Sequence, residues 1–210
     1  MTGEEIELNP RELGDDRPGL EDADDLALDA PDADVHEPDD DLDDDELGDV
    51  EDASEDDVDL IIAMHREDGT PVVAALEPDL ANDLDALITW LRRLPGDSGA
   101  AALVSVAGEF FAAVRVRGRH AQVLLSDVYA AENWSLASDV VDFLGVEVPE
   151  DDDEDGLVGD LDIFADQGLS AMDLEAICSD WDASSDDLAL RVADQIHFGP
   201  QARKAADTFH

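Results

Sequence analysis

His65, Arg66 and Glu67 form an H-x-E tripeptide, half of the signature with which zinc deaminases bind metal and relay a proton. The other half is P-C-x-x-C, because two thiolates complete the zinc ligand set. Cys178 is the single cysteine of the chain. That set therefore cannot be completed, and no intramolecular disulfide or multi-cysteine metal site can form. The His65 match is read as a strand end before a turn. Cys178 falls in the apolar register of "AMDLEAICSD", beside Ile177 and among acids. A reactive thiolate needs cationic neighbours, so Cys178 is read as a buried structural thiol.

Two further clusters have chemical spacing. Asp151, Asp153, Asp155, Gly156 and Asp162 occupy positions 1, 3, 5, 6 and 12 of a calcium-loop template, with Val158 at position 8. Against it, position 12 is Asp rather than a bidentate Glu, Pro149 leaves no room for an entering helix, and 41 aspartates make chance matches common. The stretch is read as an acidic linker, with calcium binding as the alternative. Arg115, Arg117 and Arg119 recur at period two, which places them on one face of a strand. They are read as a solvated sheet face paired with nearby acids. The functional alternative is an interaction patch for a carboxylate-rich or phosphate-bearing partner. No glycine-rich phosphate loop and no G-x-S-x-G elbow is present. His120, His197 and His210 are scattered and lack partners at metal-ligand spacing, and His36 lies in the acidic tail. No cofactor and no catalytic residue is expected.

The elements that would position these residues begin at Val58. In "VDLIIAMH", Leu60, Ile62 and Met64 face one way and Ile61, Ala63 and His65 the other, which predicts a strand covered on both faces. Asp68-Gly69 predicts a tight hairpin into "PVVAAL". Pro78-Asp79 predicts a helix start with Asp79 as N-cap. Leu80, Leu84, Leu87, Ile88, Leu91 and Leu94 then form its apolar stripe. Three strands separated by Gly108 and Gly118 follow, then helical segments at 127–133 and 135–144. The second is capped by Ser135, with Leu136, Val140, Phe143 and Leu144 buried and Gly145 as its stop. After the linker, short helices are predicted at 160–166, 171–179 and 186–197, with Met172 and Leu174 among their core residues. This order argues for an α+β fold: an antiparallel sheet of about five strands with packed helices, then a small all-helical C-terminal segment. The divisions are a disordered acidic tail over 1–57, an α+β domain over 58–146, a linker over 147–157, a three-helix segment over 158–199 and a flexible end over 200–210.

Charge decides which functions are open. The 210 residues carry 58 Asp and Glu against 11 Lys and Arg, a net charge of −47. The first 60 residues hold 28 of the acids and two arginines, with scattered apolar residues. Such a segment cannot offset ordering costs of ~1–2 kcal/mol per residue. A polyanion of this strength opposes nucleic-acid binding, which depends on neutralising phosphates, and docking on anionic lipid. No run of ~20 apolar residues could span a bilayer, and the N-terminus lacks the pattern of a secretory signal. A soluble, cytoplasmic protein is expected.

"VLLSDVYAAENWSLASDVVDFLG" at 123–145 and "VGDLDIFADQGLSAMDLEAICSD" at 158–180, together with the stretch from "DLIIAMHREDG" to "FFAAVRVRG", give the chain its affinity. Over residues 58–199 it resembles the actinobacterial tRNA adenosine deaminase-associated protein family. The resemblance implies work beside a tRNA adenosine deaminase and carries no catalytic or binding residues. A non-catalytic accessory or regulatory protein is expected, acting through protein contacts in tRNA modification. Its partners would be a tRNA adenosine deaminase or other basic proteins, with no direct nucleic acid and no membrane. The alternatives are an acidic interaction module or nucleic-acid mimic unrelated to that enzyme, and an enzyme of unrecognised type.

Overall fold

The structure is a computed structural model that describes residues 50–96, 99–149 and 156–209. Within them, an antiparallel sheet of six strands has the order β2-β1-β3-β4-β5-β6. Its strands are β1 (Val58–Glu67), β2 (Thr70–Ala75), β3 (Ala100–Val106), β4 (Phe110–Arg117), β5 (His120–Leu125) and a two-residue β6 (Val158–Gly159). The expected α+β class holds, with one more strand than the sequence indicated. Asp68 and Gly69 both take positive φ, 49° and 81°, the tight turn whose twist matches that of its flanking strands.

β1 lies inside the sheet, which explains why it is apolar on both faces. Ile61 and Ala63 enter one core with Val104, Phe110 and Val114. Leu60, Ile62 and Met64 enter a second with Leu103, Phe111 and Ala113. The first core is closed by α1 (Leu84–Leu91) and α2 (Ser135–Leu144). The second is closed by α4 (Ser185–Gln195) and α5 (Gly199–Ala206), with Leu174 of α3 (Ala171–Cys178). The C-terminal helices thus pack on the sheet. Buried hydroxyls of Ser105 on β3 and Ser185 on α4 lie 2.7 Å apart and link the layers.

Several boundaries differ from those the sequence predicts. Pro78–Asn82 form a 3-10 turn, and the helix starts at Leu84 with Asp83, not Asp79, as its cap. The Asp83 carboxylate accepts from the Ala86 amide at 2.7 Å. The leucine spacing runs across turn and helix alike, so periodicity could not separate them. Leu84, Leu87, Ile88 and Leu91 are all buried. Each contributes ~1.5–3 kcal/mol, which outweighs the weak intrinsic stability of so short a helix. Residues Val128–Glu132 are likewise 3-10, capped by Asp127. Trp134 occupies the N-cap of α2, whose buried face is Leu136, Ala137, Val140 and Val141, leaving Phe143 exposed.

The segment before β1 is also corrected. Its last residues, 50–57, belong to the folded unit. Glu51 forms a parallel bridge with Trp134, and Ala53 is buried. The Asn82 amide holds the Ala53 backbone at both ends, accepting from its N–H at 2.7 Å and donating to its carbonyl at 2.9 Å. The Ser135 hydroxyl donates to Asp52 at 2.7 Å rather than capping α2. The remainder of the acidic tail, 1–49, lies outside the described residues.

The expected flexible end at 200–210 is largely α5. Pro200 sits in its first turn, where a missing N–H costs nothing and the fixed φ suits a helix. Residues 160–166 are turns leading into a 3-10 helix at Ala165–Gln167. Met172 is 78% exposed while Leu174 is fully buried. Two residues apart on a helix point to nearly opposite sides, so both cannot face the sheet. Of the linker, Gly156 is buried and its carbonyl accepts from Val128 at 2.6 Å. No helix among the described residues is long and apolar enough to cross a membrane.

Candidate functional site

The alternation that buries Phe111 and Ala113 carries Arg115 and Arg117 onto the same sheet face. Arg115 is not solvated there. Only 1% of it is exposed, because the Ile163–Gln167 turn covers it. Its guanidinium donates to the Ile163 carbonyl and forms a two-pronged pair with Asp166, the second prong at 2.8 Å. Fork-to-carboxylate pairing of this kind suits Arg and not Lys. The hydrogen bond from Arg115, reinforced by the charges of Arg115 and Arg117, holds the Asp166 carboxyl below its usual range against the opposing effect of burial. Arg117 is half exposed and donates to Asp166 at 3.4 Å and to Gln122 at 3.2 Å. Gln122 in turn donates to Asp160 at 2.6 Å. Arg119 lies exposed in the β4–β5 turn. The expected patch is therefore one buried ion pair, one half-exposed arginine and one turn residue.

Beside that pair is a cavity of about 310 Å³, walled by Met64, Arg66, Gly99, Arg115, Gln167 and Phe198 among others. Arg66 follows Met64 on β1 and lies half-buried. It donates to the carbonyls of Ile196 at 3.2 Å and Gly69 at 3.4 Å. Its Cζ stands 4.8 Å from the centre of the Phe198 ring, within cation–π range. Among the described residues no carboxylate comes within ion-pair distance of Arg66. Gly99 is required at the wall. A Cβ there would lie 2.3 Å from the Val116 carbonyl oxygen and 2.5 Å from the Arg117 stem. His197, also on the wall, holds a left-handed φ of 69°.

The other predicted residues fall elsewhere. His65 and Glu67 share one side of β1, as period two requires, and His65 Nε2 lies 3.3 Å from Glu67 Oε1. His65 is buried. Burial alone pushes the Cys178 thiol up to about 12, so it stays protonated and unreactive at neutral pH. Asp162 is exposed, while Asp151, Asp153 and Asp155 lie outside the described residues. No group of three metal-ligating side chains is assembled among the described residues.

Two surfaces add to this. A groove between α1 and α2 is walled by Asp52, Asp83, Asp85, Asp139, Asp142 and Phe143. Burial pushes the Asp139 carboxyl up, helped by the charges of Asp83, Asp142 and Asp85 and opposed by a hydrogen bond from the Leu84 amide at 3.0 Å. On the opposite layer, Trp181 is 80% exposed, as prominent as Met172. It borders a recess formed with Leu157, Leu161, Glu175, Cys178 and Ser179. Met172, Glu175 and Ser179 follow one another along one side of α3, by helical spacing.

Residues 59–199, from the start of β1 to the start of α5, match the profile of the Rv3753c-like tRNA adenosine deaminase-associated proteins. The chain belongs to that family. Protein Rv3753c of the actinobacterium Mycobacterium tuberculosis (strain ATCC 25618 / H37Rv) is 32% identical over 149 residues, which cover 70% of this chain and 86% of that protein. No solved structure matches the chain. The family match bears out the resemblance read from the sequence. It encloses β1 through α4, the frame that holds Arg66 and Arg115, whereas the 50–57 segment lies outside it.

Sequence reasoning missed Arg66 and Phe198 as cavity walls and Trp181 as an exposed ring. Period two in β1 already placed Arg66 with Ile62 and Met64. What could not be read was its acceptor, the Ile196 carbonyl, 130 residues away.

Proposed function

We propose that this protein is a non-catalytic accessory of a tRNA adenosine deaminase, and that it acts by docking on the enzyme rather than on the RNA. The family's description supports the association. The observation that carries the mode of action is Trp181, 80% exposed beside a recess lined in part by Leu157 and Leu161, in a chain of net charge −47. Tryptophan is the side chain most enriched among residues that dominate protein interfaces. Asp173, Glu175, Asp180 and Asp182 surround it in the sequence. Such a surface fits a pocket rimmed by cations, and an enzyme that binds tRNA must carry cations to neutralise phosphates. With one cysteine in the chain, the zinc set of a deaminase is not available from its own residues.

The test is a pull-down of the same organism's tRNA adenosine deaminase with the full-length chain across a range of salt. Association is expected at low salt, weakening as salt rises. Trp181→Ala should reduce it at least ~10-fold, the size of a strong interface residue, while the fold is retained, since the indole packs on so little. Absence of association at every ionic strength overturns the reading. The 28 acids of the first 60 residues favour a second reading, a general acidic module or nucleic-acid mimic. Removing residues 1–49 separates the two. Binding survives under the first reading and disappears under the second.

A further inference from the structure

We propose that the cavity between the β1–β3–β4 face and the α4–α5 junction binds a free small organic anion, a phosphate or carboxylate group joined to a flat or apolar body, with Arg66 as its anchor. The inference goes beyond docking on a partner, and it needs no deaminase for its test.

The first argument is charge. This chain has about five acids for every base, yet Arg66 sits half-buried with only carbonyl acceptors among the described residues. Arg115, on the same wall, already has its counter-charge in Asp166. A guanidinium partly withdrawn from water without an anion is costly. An anion entering the cavity supplies a counter-charge that no described residue gives Arg66. Arg117 stands at the border, its stem against Gly99 and its guanidinium 3.4 Å from Asp166. Arg115 and Arg117 already face Asp166, itself a wall residue, so among the described residues Arg66 is the wall guanidinium that no carboxylate approaches.

The second argument is shape and lining. A volume of about 310 Å³ stands at the lower end of the ~300–1,000 Å³ typical of ligand pockets. It exceeds what a lone phosphate or carboxylate would fill. Met64, Ala101 and Phe198 give part of the wall, beside His65, Asp166 and His197, an apolar character suited to a small ring or short chain. Gln167 offers both a donor and an acceptor for orientation.

Titration of the full-length protein with phenyl phosphate and with benzoate, followed by calorimetry and by amide chemical shifts, tests this. Saturable binding of at least one probe is expected, with shifts concentrated at Gly99, Gln167 and Phe198. Inorganic phosphate should bind more weakly, and benzyl alcohol, which has the ring without the charge, should not bind. Arg66→Gln should weaken the probe by at least ~10-fold, the scale of a charge-assisted hydrogen bond, and Arg92→Gln, at the C-cap of α1, should leave it unchanged. Should Arg66→Gln fail to fold, Arg117→Gln supplies the test, with weakening of several-fold expected. No saturable binding into the millimolar range, or equal affinity in a folded Arg66→Gln, overturns the proposal.

Discussion

Arg115 and Asp166 show how one residue's surroundings reverse its meaning. Alternation along β4 puts the arginine on a face that a strand alone would leave in water. The Ile163–Gln167 turn buries it and delivers its counter-ion. Asp166→Asn removes the carboxylate that faces a buried guanidinium. Breaking a fully buried pair costs ~3–5 kcal/mol, and the 50% exposure of the Asp166 side chain lowers the expected loss to about 1–2 kcal/mol. A urea midpoint at neutral pH reads this loss. The direction with pH follows from the depressed Asp166 carboxyl. Its contribution is complete above its ordinary value of 3.8 and disappears as pH falls through its lower folded value. The loss caused by Asp166→Asn should therefore shrink below about pH 4. A loss that is constant through the acid range contradicts the assignment.

At the scale of elements, short helices and turns depend on what they pack against. The leucine stripe over 80–94 was legible because apolar spacing survives any detail of capping. The split into a 3-10 turn and α1 was not legible. It depends on Asp83 capping one segment while Asn82 is drawn to the backbone of Ala53. Nor was the docking of residues 50–57 readable, since an acidic stretch with one alanine and one valine has no periodicity. Asn82→Ala tests this element. Two hydrogen bonds worth ~0.5–1.5 kcal/mol each are lost, so a fall in stability of about 1–3 kcal/mol is expected. Faster hydrogen exchange at the Ala53 amide should accompany it. Unchanged exchange there would mean that the segment is held by other contacts.

For the molecule as a whole, −47 charges on 210 residues mean self-repulsion. Exposed pairs such as Arg191 with Asp180 and Arg203 with Asp194 contribute little and weaken with salt. Repulsion should dominate the response, because acids so greatly outnumber bases. The thermal midpoint is expected to rise as sodium chloride is increased from a few millimolar to physiological strength, where screening acts over ~8 Å. A flat or falling midpoint would show that the net charge is not what limits stability. The sequence by itself determined the α+β class, the hairpin at Asp68-Gly69, the two-faced burial of β1 and the absence of a thiolate pair. Each of these is set by near neighbours in the chain, by composition or by counting. Only the tertiary structure decided that Arg115 is buried, that Arg66 meets no carboxylate among the described residues, that α5 continues beyond Gly199-Pro200 and that Trp181 stands in water. Those outcomes depend on which distant segment arrives over a given face, and local periodicity does not encode that arrival.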